Sequence, residues 1–357
     1  MTEHDAPNRF GAVVAQSRII VCTGTGGVGK TSASAALAVH AANTGRKAVV
    51  VTVDPAKRLA DALGLAQLTN EPHEIKGVGN HGGSLHALML DTRATFDGLV
   101  TRYSKDREQA ERILANRFYQ NVAGSLSGTD EYMAAEKLHD LHESGEFELI
   151  VVDTPPTRNA LAFLDAPGFL TRLLENRVYR ILVTPTRGLA RTATSAAHLV
   201  VRHLTKVVGS DVVDDAIAFF RAFDGMEAGF ERRANSVLEL LRSDATSFLL
   251  VASPRADTID EARYFATQLA AANITVRGVL VNRVTPRFEG AVTGGDSPSA
   301  RALADFRALA AREALHVDAL RAAAPTTPLV EVPMLPHDIH DLDGLDTLAR
   351  LIVGAPA

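Results

Sequence analysis

Lys30 and Thr31 close a glycine-rich run, Gly24-Thr25-Gly26-Gly27-Val28-Gly29, and complete the spacing G-x-x-x-x-G-K-[ST]. Residues of these types in this order point to phosphate chemistry. The backbone N–H groups of such a loop cradle the phosphates of a nucleotide, the lysine reaches the β- and γ-phosphates, and the hydroxyl ligates Mg2+. Glycines are needed because the chain must come close to the phosphates and turn in ways a Cβ obstructs. The residues assigned to the nucleotide are Gly26, Gly27, Val28, Gly29, Lys30, Thr31 and Ser32, with Thr31 also a metal ligand. A helix beginning near Lys30 would set its positive end against the anion. The competing reading is a glycine-rich strand-to-helix turn without a ligand.

Two carboxylates extend the pattern. Asp54 follows the apolar run in "VVVTVDP", Val49 to Pro55. An acid at the carboxyl end of a strand faces the crevice where α/β proteins bind ligands, so Asp54 is placed to orient or deprotonate a water near a γ-phosphate. Capping the next helix ahead of Pro55 is the alternative. Asp153 ends "LIVVD", a buried strand with an acid at its tip, the arrangement that holds Mg2+ through its water shell; a strand-to-helix turn is the alternative. The rigid Thr154-Pro155-Pro156-Thr157 that follows has the character of a switch segment responding to a γ-phosphate.

The elements that must position these groups alternate between short β-branched runs and longer helical patterns, which predicts an α/β fold with a mostly parallel, doubly wound sheet. The strands expected are Ile19–Thr23, Ala48–Val53, Leu85–Leu90, Leu149–Val152, Phe248–Ala252, Gly278–Val281 and Leu329–Val332, with a helix over Ser32–Ala42. Residues 165–247 break the rhythm and read as a mostly helical insertion, with only "RILVTP" at Arg180–Pro185 resembling a strand. Residues 1–164 and 248–357 then form the core. Residues 292–298 read as a loop and 322–328 as a helix-to-strand turn.

Composition narrows the class. A chain of 357 residues can bury a large core, and a net charge of −5 with scattered basic residues gives no nucleic-acid surface. The single cysteine, Cys22, excludes a disulfide framework within one chain. No apolar run is long enough for a membrane span and residues 1–8 lack the apolar stretch of a signal peptide, so a cytoplasmic location is expected.

The segments "GTGGVGKTSAS", "VDPAKRLAD" and "DTPPTRNALAFLDAP" resemble the P-loop, switch I and switch II of the ArsA-type ATPases, a group within the MinD-like class. It includes arsenite-pump ATPases and the ATPases that deliver tail-anchored membrane proteins. The similarity continues through "LSGTDEYMAAEKL", "VNRV" and "VPMLPHDI", nearly the whole chain. The resemblance implies ATP as the nucleotide, hydrolysed with Mg2+, in a dimer that opens and closes. It implies that Asp54 is the hydrolytic aspartate, that Asn282 and the loop at Pro333 bracket the adenine, and that the insertion is a client or regulatory subdomain. The partners implied are a second copy or a paralogous ATPase, and a protein client or membrane-transport partner.

The chain departs from that pattern at several positions. The family's first loop lysine, which reaches across the dimer, is Thr25 here; a switch I histidine is Lys57; and the switch II "TGH" is Thr157-Arg158-Asn159. A threonine cannot carry positive charge to a partner's phosphates, so Arg158 is the candidate for compensating charge, with a solvent-facing arginine as the alternative. The thiols that clasp zinc or bind arsenite in relatives are missing. Two readings result: an ATPase driving dimer opening and closing, and a nucleotide-gated regulatory subunit with little turnover that acts beside a paralogue. A membrane-surface ATPase ranks last, because Leu342–Pro356 carries only Arg350 as a base. Phe219, Phe223, Met226 and Phe230, spaced as one helix face, read as core or as a client groove. His337, Asp338, His340 and Asp341 read as loop residues rather than a metal site.

Overall fold

The structure is a computed structural model, and it describes residues 5–53, 58–122, 129–155, 210–223, 225–289 and 297–354. The expectations for Asp54, Lys57, Arg158 and the Arg180–Pro185 segment lie outside these residues.

Two compact units make up the chain. The first comprises Met1–Leu90, Leu138–Leu161 and Leu240–Ala357. Its sheet has eight strands: β1 (Ile19–Thr23), β2 (Lys47–Thr52), β3 (His73–Ile75), β4 (Ser84–Met89), β5 (Leu149–Asp153), β6 (Thr246–Ala252), β7 (Val276–Val284) and β8 (Leu329–Pro333), in the order β3-β4-β2-β5-β1-β6-β7-β8. Every neighbouring pair is parallel except β3 with β4. Strands of this kind are covered on both faces and so read as continuous apolar runs. Ile19, Ile20, Val21 and Cys22 of β1 are all fully buried, as are Val49, Val50 and Val51 of β2. The seven runs expected from sequence are seven of these strands. The eighth, β3, is a three-residue antiparallel edge with too little periodicity to be read beforehand.

Strand order reverses at β1, with β5, β2 and β4 on one side and β6, β7 and β8 on the other. Ligands of open α/β sheets bind at the carboxyl ends of the strands beside such a reversal. The helices of this unit are α1 (Asp5–Gln16), α2 (Lys30–Asn43), α3 (Arg58–Ala62), the end of α7 (Thr129–Ser144), α10 (Ala256–Ala271), α11 (Pro298–Ala323) and α12 (Leu342–Val353). One sheet face packs on α1, α2 and α12 through Phe10, Leu37, Val39, Leu348 and Ile352. Helix α1 was not foreseen; its anchors are Phe10 and Val14, one turn apart and buried.

The second unit comprises Asp91–Lys137 and Ala162–Glu239, and so draws on residues ahead of the stretch read as an insertion. Its described part is helical: α4 (Thr92–Tyr103), α5 (Arg107–Leu114), α6 (Arg117–Val122), the start of α7, α8 (Ser210–Ala222) and most of α9 (Glu227–Arg242). Phe219, Phe223, Met226 and Phe230 do not share one helix. Gly225, at φ 88°, turns the chain between α8 and α9, and the four side chains are 6%, 3%, 2% and 0% exposed. Phe223 stacks on Phe230 with ring centroids 5.0 Å apart. The stripe is core. Buried with it, Arg233 Nε donates to Glu136 Oε2 at 2.6 Å.

Candidate functional site

The site is built on the reversal of strand order. After Thr23 the chain must leave β1 beside the backbone of β6, and a Cβ on Gly24 would lie 2.0 Å from the Val251 carbonyl oxygen. Only glycine passes there. The loop then turns into α2 through Gly29, whose φ of 96° is left-handed and whose Cβ would meet Asn282 Nδ2 at 2.3 Å. No side chain caps α2 and its first turn carries no acid, so the helix presents unsatisfied N–H groups and its positive end to the loop. Gly26 and Gly27 are exposed and Val28 is buried, while Ser32 lies half-buried in the first turn.

Lys30 is 6% exposed and folds back over the loop, with Nζ donating to the Thr25 carbonyl oxygen at 2.8 Å. Thr31 Oγ1 donates to Asp153 Oδ2 at 2.7 Å. The same oxygen accepts from Thr52 Oγ1 at 3.1 Å. Strand register brings these groups together, because β5 lies between β1 and β2 and Asp153 sits level with both Cys22 and Thr52. Thr154, the next residue, is tied down by its hydroxyl, which donates to the Cys22 carbonyl oxygen at 2.8 Å. Beneath the loop, burial pushes the Cys22 thiol up to about 12, so it stays a neutral core side chain.

A hydroxyl and a carboxylate are hard oxygen donors. That set suits Mg2+, which keeps several waters and takes its remaining ligands from phosphate oxygens. Among the described residues there is no group of three or more His, Cys, Asp or Glu able to hold a metal ion by themselves.

The nucleotide and metal candidates Gly26 to Ser32 and Asp153 therefore converge. Asn282, expected beside an adenine, lies on the other side of the loop: Nδ2 donates to the Val28 carbonyl oxygen at 3.0 Å and Oδ1 accepts from the Arg283 N–H at 3.0 Å. Pro333 ends β8 opposite Val284, and the next N–H, of Met334, donates to the Val284 carbonyl oxygen at 2.8 Å. Two contributors were not singled out from sequence, Thr52 and Arg283. Thr52 meets Asp153 only through the parallel register of β2 and β5, which no local sequence pattern carries.

The sequence profile of the anion-transporting ATPases matches residues 17–354. An Aquifex aeolicus protein named as an arsenical pump-driving ATPase is 23% identical over 344 residues, 94% of this chain and 79% of that protein. The ATPase GET3 of Malassezia globosa is 33% identical over 155 residues, 43% of this chain and 44% of its own length. The ATPase ASNA1 homolog of Babesia bovis is 27% identical over 266 residues, 74% and 66% of the two chains. The match thus spans less than half of the Malassezia protein and just under two thirds of the Babesia one.

Proposed function

The chain belongs to the anion-transporting ATPase family, and from that premise we propose that it binds ATP with Mg2+ on the Gly24–Thr31 loop and hydrolyses it to switch a dimer between open and closed states. The observation that carries this reading is the Thr31–Asp153 hydrogen bond of 2.7 Å at the foot of an uncapped helix, with Lys30 folded over the loop. In it, Lys30 leaves the Thr25 carbonyl to meet the β- and γ-phosphates, and the N–H groups of Gly26 to Ser32 surround them. Thr31 and Asp153 would hold Mg2+, which would supply positive charge against the phosphates. Asp54 orients the attacking water, Arg158 adds positive charge, and Asn282 and Pro333 flank the base. The insertion, residues 165–247, serves a client or regulator.

Location in the cytoplasm belongs with this reading; among the described residues no helix is long and apolar enough to cross a membrane. Purified chain should release phosphate from Mg-ATP, and Asp54→Asn should keep binding while turnover falls by a factor on the order of a hundred. Turnover at the wild-type rate in Asp54→Asn moves that role to another residue.

Thr25 favours a second reading, in which the chain is a nucleotide-gated subunit working beside a paralogue that keeps the lysine. Its backbone carbonyl receives Lys30, but its side chain supplies no charge in trans. Thr25→Lys alone should then gain ATP-driven dimerisation or turnover, followed by light scattering and phosphate release. Robust turnover of an ATP-dependent homodimer of the unaltered chain, abolished by Arg158→Ala, contradicts it.

A further inference from the structure

Strand β7 carries one residue too many where it passes β8. Val281 pairs with Glu331 and Val284 with Pro333, so three steps on β7 match two on β8. Such a bulge is rare between parallel strands, and bulges beside functional sites re-aim side chains. The residues in it are Asn282 and Arg283, and Arg283 adopts φ 62°, the left-handed region that is strained for a non-glycine residue. Glycine or asparagine would adopt this backbone with less strain.

What the strained backbone achieves is visible in the hydrogen bonds. Asn282, 8% exposed, donates from Nδ2 to the Val28 carbonyl oxygen at 3.0 Å, and its Oδ1 is held by the Arg283 N–H. The Arg283 guanidinium, itself exposed, reaches the adjacent Gly27 carbonyl oxygen at 3.0 Å. Two consecutive carbonyls of the glycine-rich loop are thereby fixed from a single bulge. A peptide plane is rigid, so fixing its C=O also aims its N–H in the opposite direction. The N–H groups of Val28 and Gly29 belong to these two peptides.

We propose that the Asn282–Arg283 bulge is a two-point clasp on the loop, with Arg283 a positioning residue that sets the loop's N–H groups for a nucleoside di- or triphosphate before it arrives. The inference rests on the nucleotide reading of the loop. The clasp reduces the ordering cost of binding, because the loop does not have to be frozen by the ligand. Its strain is tolerated for that reason.

Arg283→Gly and Arg283→Asn both accept the left-handed backbone while failing to reach Gly27, and they separate this role from a merely structural one. Both should melt at or above the wild-type temperature without nucleotide. Their ADP affinity, by calorimetry, should fall on the order of tenfold, the scale of one charge-assisted hydrogen bond. Amide hydrogen exchange at Val28 and Gly29 should quicken in the ligand-free chain, and Arg283→Lys should recover part of both effects. Wild-type ADP affinity in the Gly and Asn variants, with binding lost in Lys30→Ala, overturns the clasp and leaves the site standing. A lowered melting temperature in both variants makes Arg283 a stabilising residue only and also overturns it. Unchanged ADP affinity in Lys30→Ala removes the site reading, and the clasp with it.

Discussion

Thr31 and Asp153, separated by 122 residues of chain, share a hydrogen bond of 2.7 Å at the point where β1 and β5 lie side by side. The contact joins the glycine-rich loop to a strand that ends one position beyond Val152, and it pairs a hydroxyl with a carboxylate that is 1% exposed. In the proposed function these two residues would hold Mg2+. ATP affinity should therefore be strengthened by Mg2+ in the wild type and much less so in Asp153→Asn, where the metal's contribution should shrink at least tenfold. Fluorescent-nucleotide titrations with and without EDTA measure it, and equal Mg2+ dependence in the two proteins would remove Asp153 from the metal site.

Thr52 acts through Asp153. Its hydroxyl donates to the same oxygen, and it is 2% exposed at the end of β2. Thr52→Val keeps the shape and removes the donor, so the Mg2+ concentration giving half-maximal nucleotide binding should rise by about tenfold, with metal-free nucleotide affinity unchanged. A fall in metal-free affinity instead would make Thr52 a support of the loop as a whole.

The strand–loop–helix conformation of residues 19–43 was legible because it is local: strand, glycines, Lys30, Thr31 and helix are consecutive. The position of Asp153 was legible for the same reason, as an acid closing a buried run. Thr52 and Arg283 were not, because their partners lie across strand register or through a bulge, and neither is encoded in a residue's own neighbourhood. The Phe219–Phe230 stripe was legible as core but not in its local structure. Its spacing suits one helix face, but Gly225 interrupts it, and the four buried side chains come from two helices and the turn between them.

Cys22 offers a probe of the ground beneath the loop. Full burial and a thiol pushed up to about 12 leave almost no thiolate at pH 8, and only the thiolate reacts. Native chain should give no colour with a disulfide reagent at that pH, and denatured chain should give one equivalent, Cys22 being the sole cysteine. Rapid reaction of the native chain would show that β1 and the loop open together.

Glu136 and Arg233 test the helical unit. Their side chains are 0% and 5% exposed, so removing one member of the ion pair takes compensation from a buried charge. Arg233→Leu alone should destabilise by about 3–5 kcal/mol, and the joint replacement Glu136→Met with Arg233→Leu by much less. Urea denaturation followed by circular dichroism decides between this and a pair with no energetic weight, for which both variants would unfold with the wild type.

The central claim is that the Gly24–Thr31 loop is where nucleotide binds, and calorimetric titration of Mg-ATP into the wild type and Lys30→Ala tests it most directly. Lys30 is buried against the loop it would leave for the phosphates, and its contact with them is charge-assisted, worth a few kcal/mol. The account predicts saturable binding by the wild type and loss of most of that affinity in Lys30→Ala at an unchanged melting temperature. Equal Mg-ATP affinity in the two proteins would contradict it.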